Sequence, residues 1–165
     1  MAFVVQATAA AVLVVLTLSI QSAGMAMLIH WARAHFARDM HQLGLLRSAG
    51  VMVRFTIAMI ALHMLQILLW AGFYRWYCFP SWESAFYFST TSYSTVGYGD
   101  LIVARPWRIL GPVEAVSGVL MCSLSASLLF AIVTRLVQQA ERSQRKTRRN
   151  RSWSGHPGET SVCSV

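Results

Sequence analysis

The segment Thr95-Val96-Gly97-Tyr98-Gly99-Asp100 decides the fold of this chain. Its two glycines stand two residues apart, and glycine adopts backbone conformations that a Cβ atom makes costly for other residues. An ordinary extended strand alternates the direction of its carbonyl groups. Residues of unusual handedness at every second position would instead turn successive carbonyl oxygens toward one axis, where they can replace the hydration shell of a cation. The segment is therefore a candidate cation-binding loop.

Charge is scarce outside this loop and confined to a few stretches. Hydrophobic residues make up 56% of the 165 residues and charged residues 12%, about half of the roughly 25% typical of soluble domains. Four windows contain no Asp, Glu, Lys or Arg: 1–32, 55–74, 84–99 and 115–134. A helix needs about 20 apolar residues to cross the hydrocarbon core of a bilayer. All but the third window are long enough, which excludes an ordinary soluble domain and predicts three transmembrane helices.

The short window 84–99 precedes and includes most of the candidate loop. Ser81 suits an N-cap and Glu83 suits the first turn of a helix, where its charge opposes the positive end of the helix dipole. A helix from Trp82 to about Tyr93 would be roughly 18 Å long, enough to reach half-way across a bilayer. The chain must then turn back, because arginines follow that require water. This pattern predicts a re-entrant loop, which membranes tolerate only where protein or water covers it.

In this setting the loop resembles the selectivity filter of potassium channels, whose subunits contain an outer helix, a pore helix, a filter and an inner helix. The resemblance covers roughly residues 51–137. It implies an all-α membrane protein with three transmembrane helices, a re-entrant pore helix and a selectivity-filter loop. A homotetrameric pore is implied, since one chain offers one filter strand. The implied function is passive K⁺ conduction, with K⁺ as permeant ion, no cofactor and no enzyme activity.

The resemblance also gives single residues expected roles. K⁺ should bind to main-chain carbonyl oxygens of Thr95, Val96, Gly97 and Tyr98 and to the Thr95 hydroxyl. Gly99 should complete the filter. Tyr87 and Phe88 of the pore helix should brace the filter, and the carboxylate of Asp100 should cap its outer mouth. Gly118 matches, within a residue, an inner-helix glycine often proposed as a gating hinge.

Three features depart from the family pattern. Some relatives carry a carboxylate behind the filter in the pore helix, whereas residues 90–92 here offer only hydroxyls. The first helix is additional to the minimal subunit, which has two. No predicted membrane-crossing helix carries arginines at three-residue spacing, so voltage sensing of the usual kind is not expected.

Glu114, about two turns into the third predicted helix, is expected to support the filter in place of the missing carboxylate. An ionised carboxylate at that depth is costly, so it should either face protein partners or be protonated. One hypothesis is a structural buttress, hydrogen-bonded to Thr90, Thr91 or Gln66. The other is a group that external protons titrate, with an effect on filter stability.

The distribution of basic residues predicts the topology. Residues 31–54 hold four arginines and residues 135–151 hold seven basic residues, against three arginines between the second and third long windows. The positive-inside rule then places the N-terminus outside and the C-terminus in the cytoplasm. The predicted organisation is a transmembrane helix, a basic cytoplasmic linker, a pore domain and a basic, partly disordered cytoplasmic tail: 1–32, 33–50, 51–137 and 138–165. The small size favours the plasma membrane of a bacterium, the inner membrane.

Alternatives remain open for the tail and for the function. The positive-inside rule already explains the net charge of +8, so no nucleic-acid partner is expected. The tail is either a solvated retention signal or a contact for anionic lipid. A non-selective cation channel is disfavoured because Tyr98 is intact. A non-conducting accessory membrane protein would not require both filter glycines. An enzyme is disfavoured because the carboxylates near the loop have no accompanying His or Ser constellation.

Overall fold

The computed structural model describes residues 2–38 and 45–154, and all regular secondary structure in these ranges is helical. The elements are α1 (Ala2–Arg38), α2 (Leu45–Tyr77), α3 (Trp82–Tyr93), a 3₁₀ turn (Arg105–Trp107) and α4 (Leu110–Ser154). Three segments are long and apolar enough to cross a membrane: Phe3–Arg33, Gly50–Tyr77 and Arg105–Arg135. The predicted class, an all-α chain with three membrane-crossing helices, is confirmed.

Helices α1 and α2 are longer than the charge pattern predicted. Helix α1 continues to Arg38 and α2 begins at Leu45, so both extend into the predicted linker. The rest of that linker (39–44) and the last part of the predicted tail (155–165) lie outside the described residues. Contacts divide the chain into two units, Met1–Leu129 and Phe130–Val165. Every site described below lies in the first unit.

Helix α3 has the predicted bounds because its end signals are local. The Ser81 hydroxyl accepts a hydrogen bond from the Ser84 N–H at 3.1 Å and so caps one of the unpaired donors of the first turn. Glu83 lies in that turn. At the other end, the N–H of the C-cap residue Ser94 donates to the Thr90 carbonyl at 3.0 Å. The prediction of a half-length helix between two spanning helices is therefore confirmed.

The core of the first unit joins α1 to the helices around the candidate loop. Its buried residues come from all four helices and from Val103: Ala10, Leu13, Trp70, Tyr74, Ala85 and Leu110. Helix α2 packs against both α1 and α3, and α1 also contacts the 3₁₀ turn. The Trp70 indole N–H donates to the Thr17 hydroxyl at 3.0 Å, so α1 supplies a buried acceptor to α2. The additional helix is thus part of the core.

Candidate ion-binding site

The loop after α3 has positive φ at every second residue. Thr95, Gly97 and Gly99 have φ angles of 62°, 50° and 78°. The glycines accept this conformation freely, as the sequence predicted, whereas it is strained for the β-branched Thr95, which the sequence did not reveal. Hydrogen bonds back to α3 hold the strand, from the Thr95 N–H to the Ser92 carbonyl at 2.9 Å and from the Gly97 N–H to the Thr91 carbonyl at 3.0 Å. Alternating handedness is the backbone property that the candidate ion-binding role requires.

The loop is exposed in the single chain. Val96 retains 53% of its accessible surface and Tyr98 retains 70%. A cavity of about 370 Å³ lies beside the loop, lined also by Thr91 of α3 and Gly111 of α4. Exposed apolar side chains and main-chain groups at membrane depth need cover from other protein or from water. The isolated chain therefore leaves the loop incomplete.

Tyr87 and Asp100, both predicted to support the filter, are in contact. The Tyr87 hydroxyl donates to Asp100 Oδ2 at 2.9 Å, and this hydrogen bond raises the pKa of Tyr87 above its ordinary value of 10.0. The second carboxylate oxygen of Asp100 accepts from the Leu101 N–H at 3.0 Å. The ring of Tyr87 stacks on that of Tyr98, with centroids 6.4 Å apart and planes 15° apart. Tyr87 thus ties α3 to the outer end of the loop.

Phe88, the other predicted brace, packs in the core. Its ring meets Tyr74 edge-on with centroids 4.9 Å apart, and it lies 5.4 Å from Phe79. Its effect on the loop stays a prediction, as do the ion-binding roles of residues 95–99.

Glu114 is fully buried between α2 and α3. Its carboxylate oxygens lie 2.5 Å from the Ser89 hydroxyl and 2.9 Å from the Tyr74 hydroxyl. The sequence predicts that Glu114 pairs with a hydroxyl of α3 or with a side chain of α2. The residues predicted for this role, Thr90, Thr91 and Gln66, are not its partners. Thr90 and Thr91 donate to carbonyls of their own helix, as threonine often does in helices: the acceptors are Phe86 and Phe88. Gln66, the third predicted partner, pairs elsewhere.

The sequence analysis missed Tyr93 and Gln21 as parts of the site. Tyr93 is the last residue of α3, and its hydroxyl donates to Gln66 Oε1 at 2.6 Å. Gln66 Nε2 in turn donates to Gln21 Oε1 at 2.6 Å, which links α2 to α1. The signal that could have identified Gln21 was its amide side chain within an otherwise apolar window, since polar groups at membrane depth usually face other helices.

Gly118 lies where α4 meets the end of α3. A Cβ atom built on Gly118 would collide with the Tyr93 carbonyl oxygen and lie 3.1 Å from its carbonyl carbon. Helix α4 runs through this position without interruption. Close approach to α3 is thus sufficient to explain the glycine, and the gating-hinge role stays a prediction.

Comparison with known proteins gives one match. Residues 60–135 match a family model described as an ion channel. The matched segment runs from α2 through α3 and the loop into α4, so it includes Tyr87, Asp100 and Glu114 but not α1. No curated protein and no solved structure matches the chain.

Proposed function

We propose that this chain is a subunit of a homotetrameric, potassium-selective channel, because residues 60–135 match an ion-channel family model and three helices are long and apolar enough to cross a membrane. The observation that carries the proposal is the alternation of positive φ at Thr95, Gly97 and Gly99. It supports a strand whose carbonyl oxygens face one axis and bind dehydrated K⁺. The intact Tyr98 between the two glycines favours selectivity for K⁺ over Na⁺.

The exposure of the loop supports assembly. A single strand cannot surround an ion, and its carbonyl groups would be unsatisfied in hydrocarbon. Four copies around an axis would cover Val96 and Tyr98 and provide a ring of oxygen ligands. The end of α3 adds a favourable field, because the carboxyl end of a helix carries partial negative charge and stabilises cations.

The topology follows from charge and from one contact. Helix α1 contacts the 3₁₀ turn that follows the loop, which supports a common side for the N-terminus and the outer mouth. The positive-inside rule makes that side the outside and places the basic tail in the cytoplasm. In a bacterial inner membrane, this tail would meet anionic lipid at about 1 kcal/mol per basic residue. Nucleic acid is not a proposed partner.

The test is reconstitution of the purified chain alone in liposomes, with potassium on one side and sodium on the other. We expect a reversal potential close to the potassium equilibrium potential. A reversal potential near zero would favour a non-selective cation channel. Correctly inserted protein without current would favour an accessory membrane protein.

A further inference from the structure

Buried polar side chains and the half-buried His63 form one hydrogen-bonded series across all four helices. His63 Nδ1 of α2 lies 2.9 Å from the hydroxyl of Tyr93 in α3, which lies 2.6 Å from Gln66 Oε1. Gln66 Nε2 lies 2.6 Å from Gln21 Oε1 of α1. The Gln21 amide then reaches α4, where Nε2 lies 3.0 Å from Ser125 Oγ.

Every hydrogen bond in this series is donated in the same direction, from His63 toward Ser125. Tyr93 has one hydroxyl proton, and it goes to Gln66, so the ring nitrogen of His63 must donate to Tyr93. Each amide then accepts through its oxygen and donates through its nitrogen, and hydrogen bonds arranged in this way polarise and strengthen one another. Gln66 and Gln21 are 0% and 1% exposed, so water cannot replace a missing partner. Without Gln21, a buried donor of Gln66 would be unsatisfied.

The series passes through the last residue of α3, next to the loop. Tyr93 is followed by the C-cap residue Ser94 and then by Thr95, whose strained φ of 62° begins the loop. The Tyr93 carbonyl also abuts Gly118 of α4. A strained conformation persists only where its surroundings hold it. The side chain of Tyr93 is therefore a suitable point from which to hold the entrance of the loop.

We propose that Gln21 is a positioning residue for the selectivity filter, acting through Gln66 and Tyr93. The inference rests on the proposed function and extends it to α1, which lies outside the segment matched by the ion-channel family. In this role, α1 holds the end of α3 at the depth and rotation that the filter needs.

The test compares two buried polar residues of α1. Gln21→Met keeps the length of the side chain but removes both polar atoms. Thr17→Val is the matched control, because the hydrogen bonds of Thr17 reach only the Trp70 indole and the Leu13 carbonyl and do not continue to α3. Both should lower the thermal stability of the tetramer. Only in Gln21→Met do we expect a rise in the potassium concentration that gives half-maximal protection against thermal unfolding. The expected rise is about tenfold, which corresponds to the loss of one buried hydrogen bond.

Two further variants keep the test decisive if Gln21→Met does not assemble. Gln21→Glu retains an oxygen acceptor for Gln66 and should keep potassium dependence close to that of the wild type. Tyr93→Phe removes the hydroxyl that joins Gln66 to α3 while keeping the ring, and should shift potassium dependence as Gln21→Met does. The potassium-over-sodium permeability ratio should fall in the same variants.

Equal potassium dependence in the wild type and in Tyr93→Phe would overturn the inference, as would equal shifts in Gln21→Met and Thr17→Val. In both cases a potassium-selective wild type would leave the proposed function standing. A wild type that conducts sodium and potassium equally would instead overturn the proposed function itself.

Discussion

Ser89 of α3 and Glu114 of α4 approach to 2.5 Å, measured from Oγ to Oε1, and both residues are 0% exposed. The Ser89 hydroxyl also lies 3.0 Å from the Ile67 carbonyl, so its single proton has two acceptors within reach. A neutral Glu114 can donate to Ser89, which frees Ser89 to donate to Ile67. The Tyr74 hydroxyl donates to the second oxygen of Glu114. The neutral acid satisfies all of these groups and avoids a buried charge.

We therefore expect Glu114→Gln to be tolerated and Glu114→Ala to be harmful. Glutamine keeps a donor toward Ser89 and an acceptor toward Tyr74, whereas alanine leaves buried hydroxyls unpaired, at a cost of about 1–3 kcal/mol in the free energy of unfolding. Thermal unfolding of the purified protein is the measurement, with Glu141→Ala as an exposed control. If Glu114 acts only as a neutral buttress, wild-type currents should not change with external pH between about 5 and 8. A pH response that disappears in Glu114→Gln would support titration instead.

Gly118→Ala should destabilise the contact between α4 and α3. The new methyl group would collide with the Tyr93 carbonyl, and such overpacking typically costs about 1–3 kcal/mol. Gly72→Ala is the matched control, since nothing lies within 4 Å of a Cβ there and alanine favours a helix by up to about 1 kcal/mol. Tetramer stability and open probability should be measured together. A changed open probability with unchanged stability would favour the gating hinge.

Gly97→Ala should abolish potassium preference without preventing membrane insertion. At a φ of 50°, an alanine is strained by about 1–2 kcal/mol, so the strand would relax and its carbonyl oxygens would leave their positions. Gly50→Ala, where nothing lies within 4 Å of a Cβ, is the control. Bi-ionic reversal potentials give the answer. Unchanged selectivity in Gly97→Ala would show that the filter lies elsewhere.

The orientation in the membrane can be tested with a single cysteine. In a background without Cys78, Cys122 and Cys163, Ser152→Cys should be protected from an impermeant thiol reagent added outside and react after the membrane is opened. The reason is the excess of basic residues in the tail. Labelling of intact cells from the outside would contradict the topology derived from charge.

Local sequence signals predicted α3 and the backbone of the loop, but they did not predict which side chains meet between helices. Ser81 and Glu83 fixed the start of α3 because capping depends on neighbouring residues alone. The partner of Glu114 depends on how α3 is rotated about its axis, and Ser89 differs from Thr90 by about 100° around a helix. Sequence spacing cannot supply that rotation.

The role of α1 was hidden for a related reason. Gln21 is one polar residue in a long apolar window, and its partners lie on two other helices, α2 and α4. The strain at Thr95 was equally invisible, because threonine gives no sign of a positive φ.

The hydrogen bond from Trp70 to Thr17 bears on whether the segment that matches the ion-channel family model can fold by itself. A chain shortened to begin at Gly50 would keep all of the matched segment but would remove the acceptors of the Trp70 indole and the Gln66 amide. Each buried donor left unpaired costs about 1–3 kcal/mol, against a typical total stability of roughly 5–15 kcal/mol. Removing α1 would therefore take away a substantial share of the stability, and the boundary of the matched segment is not a boundary of stability.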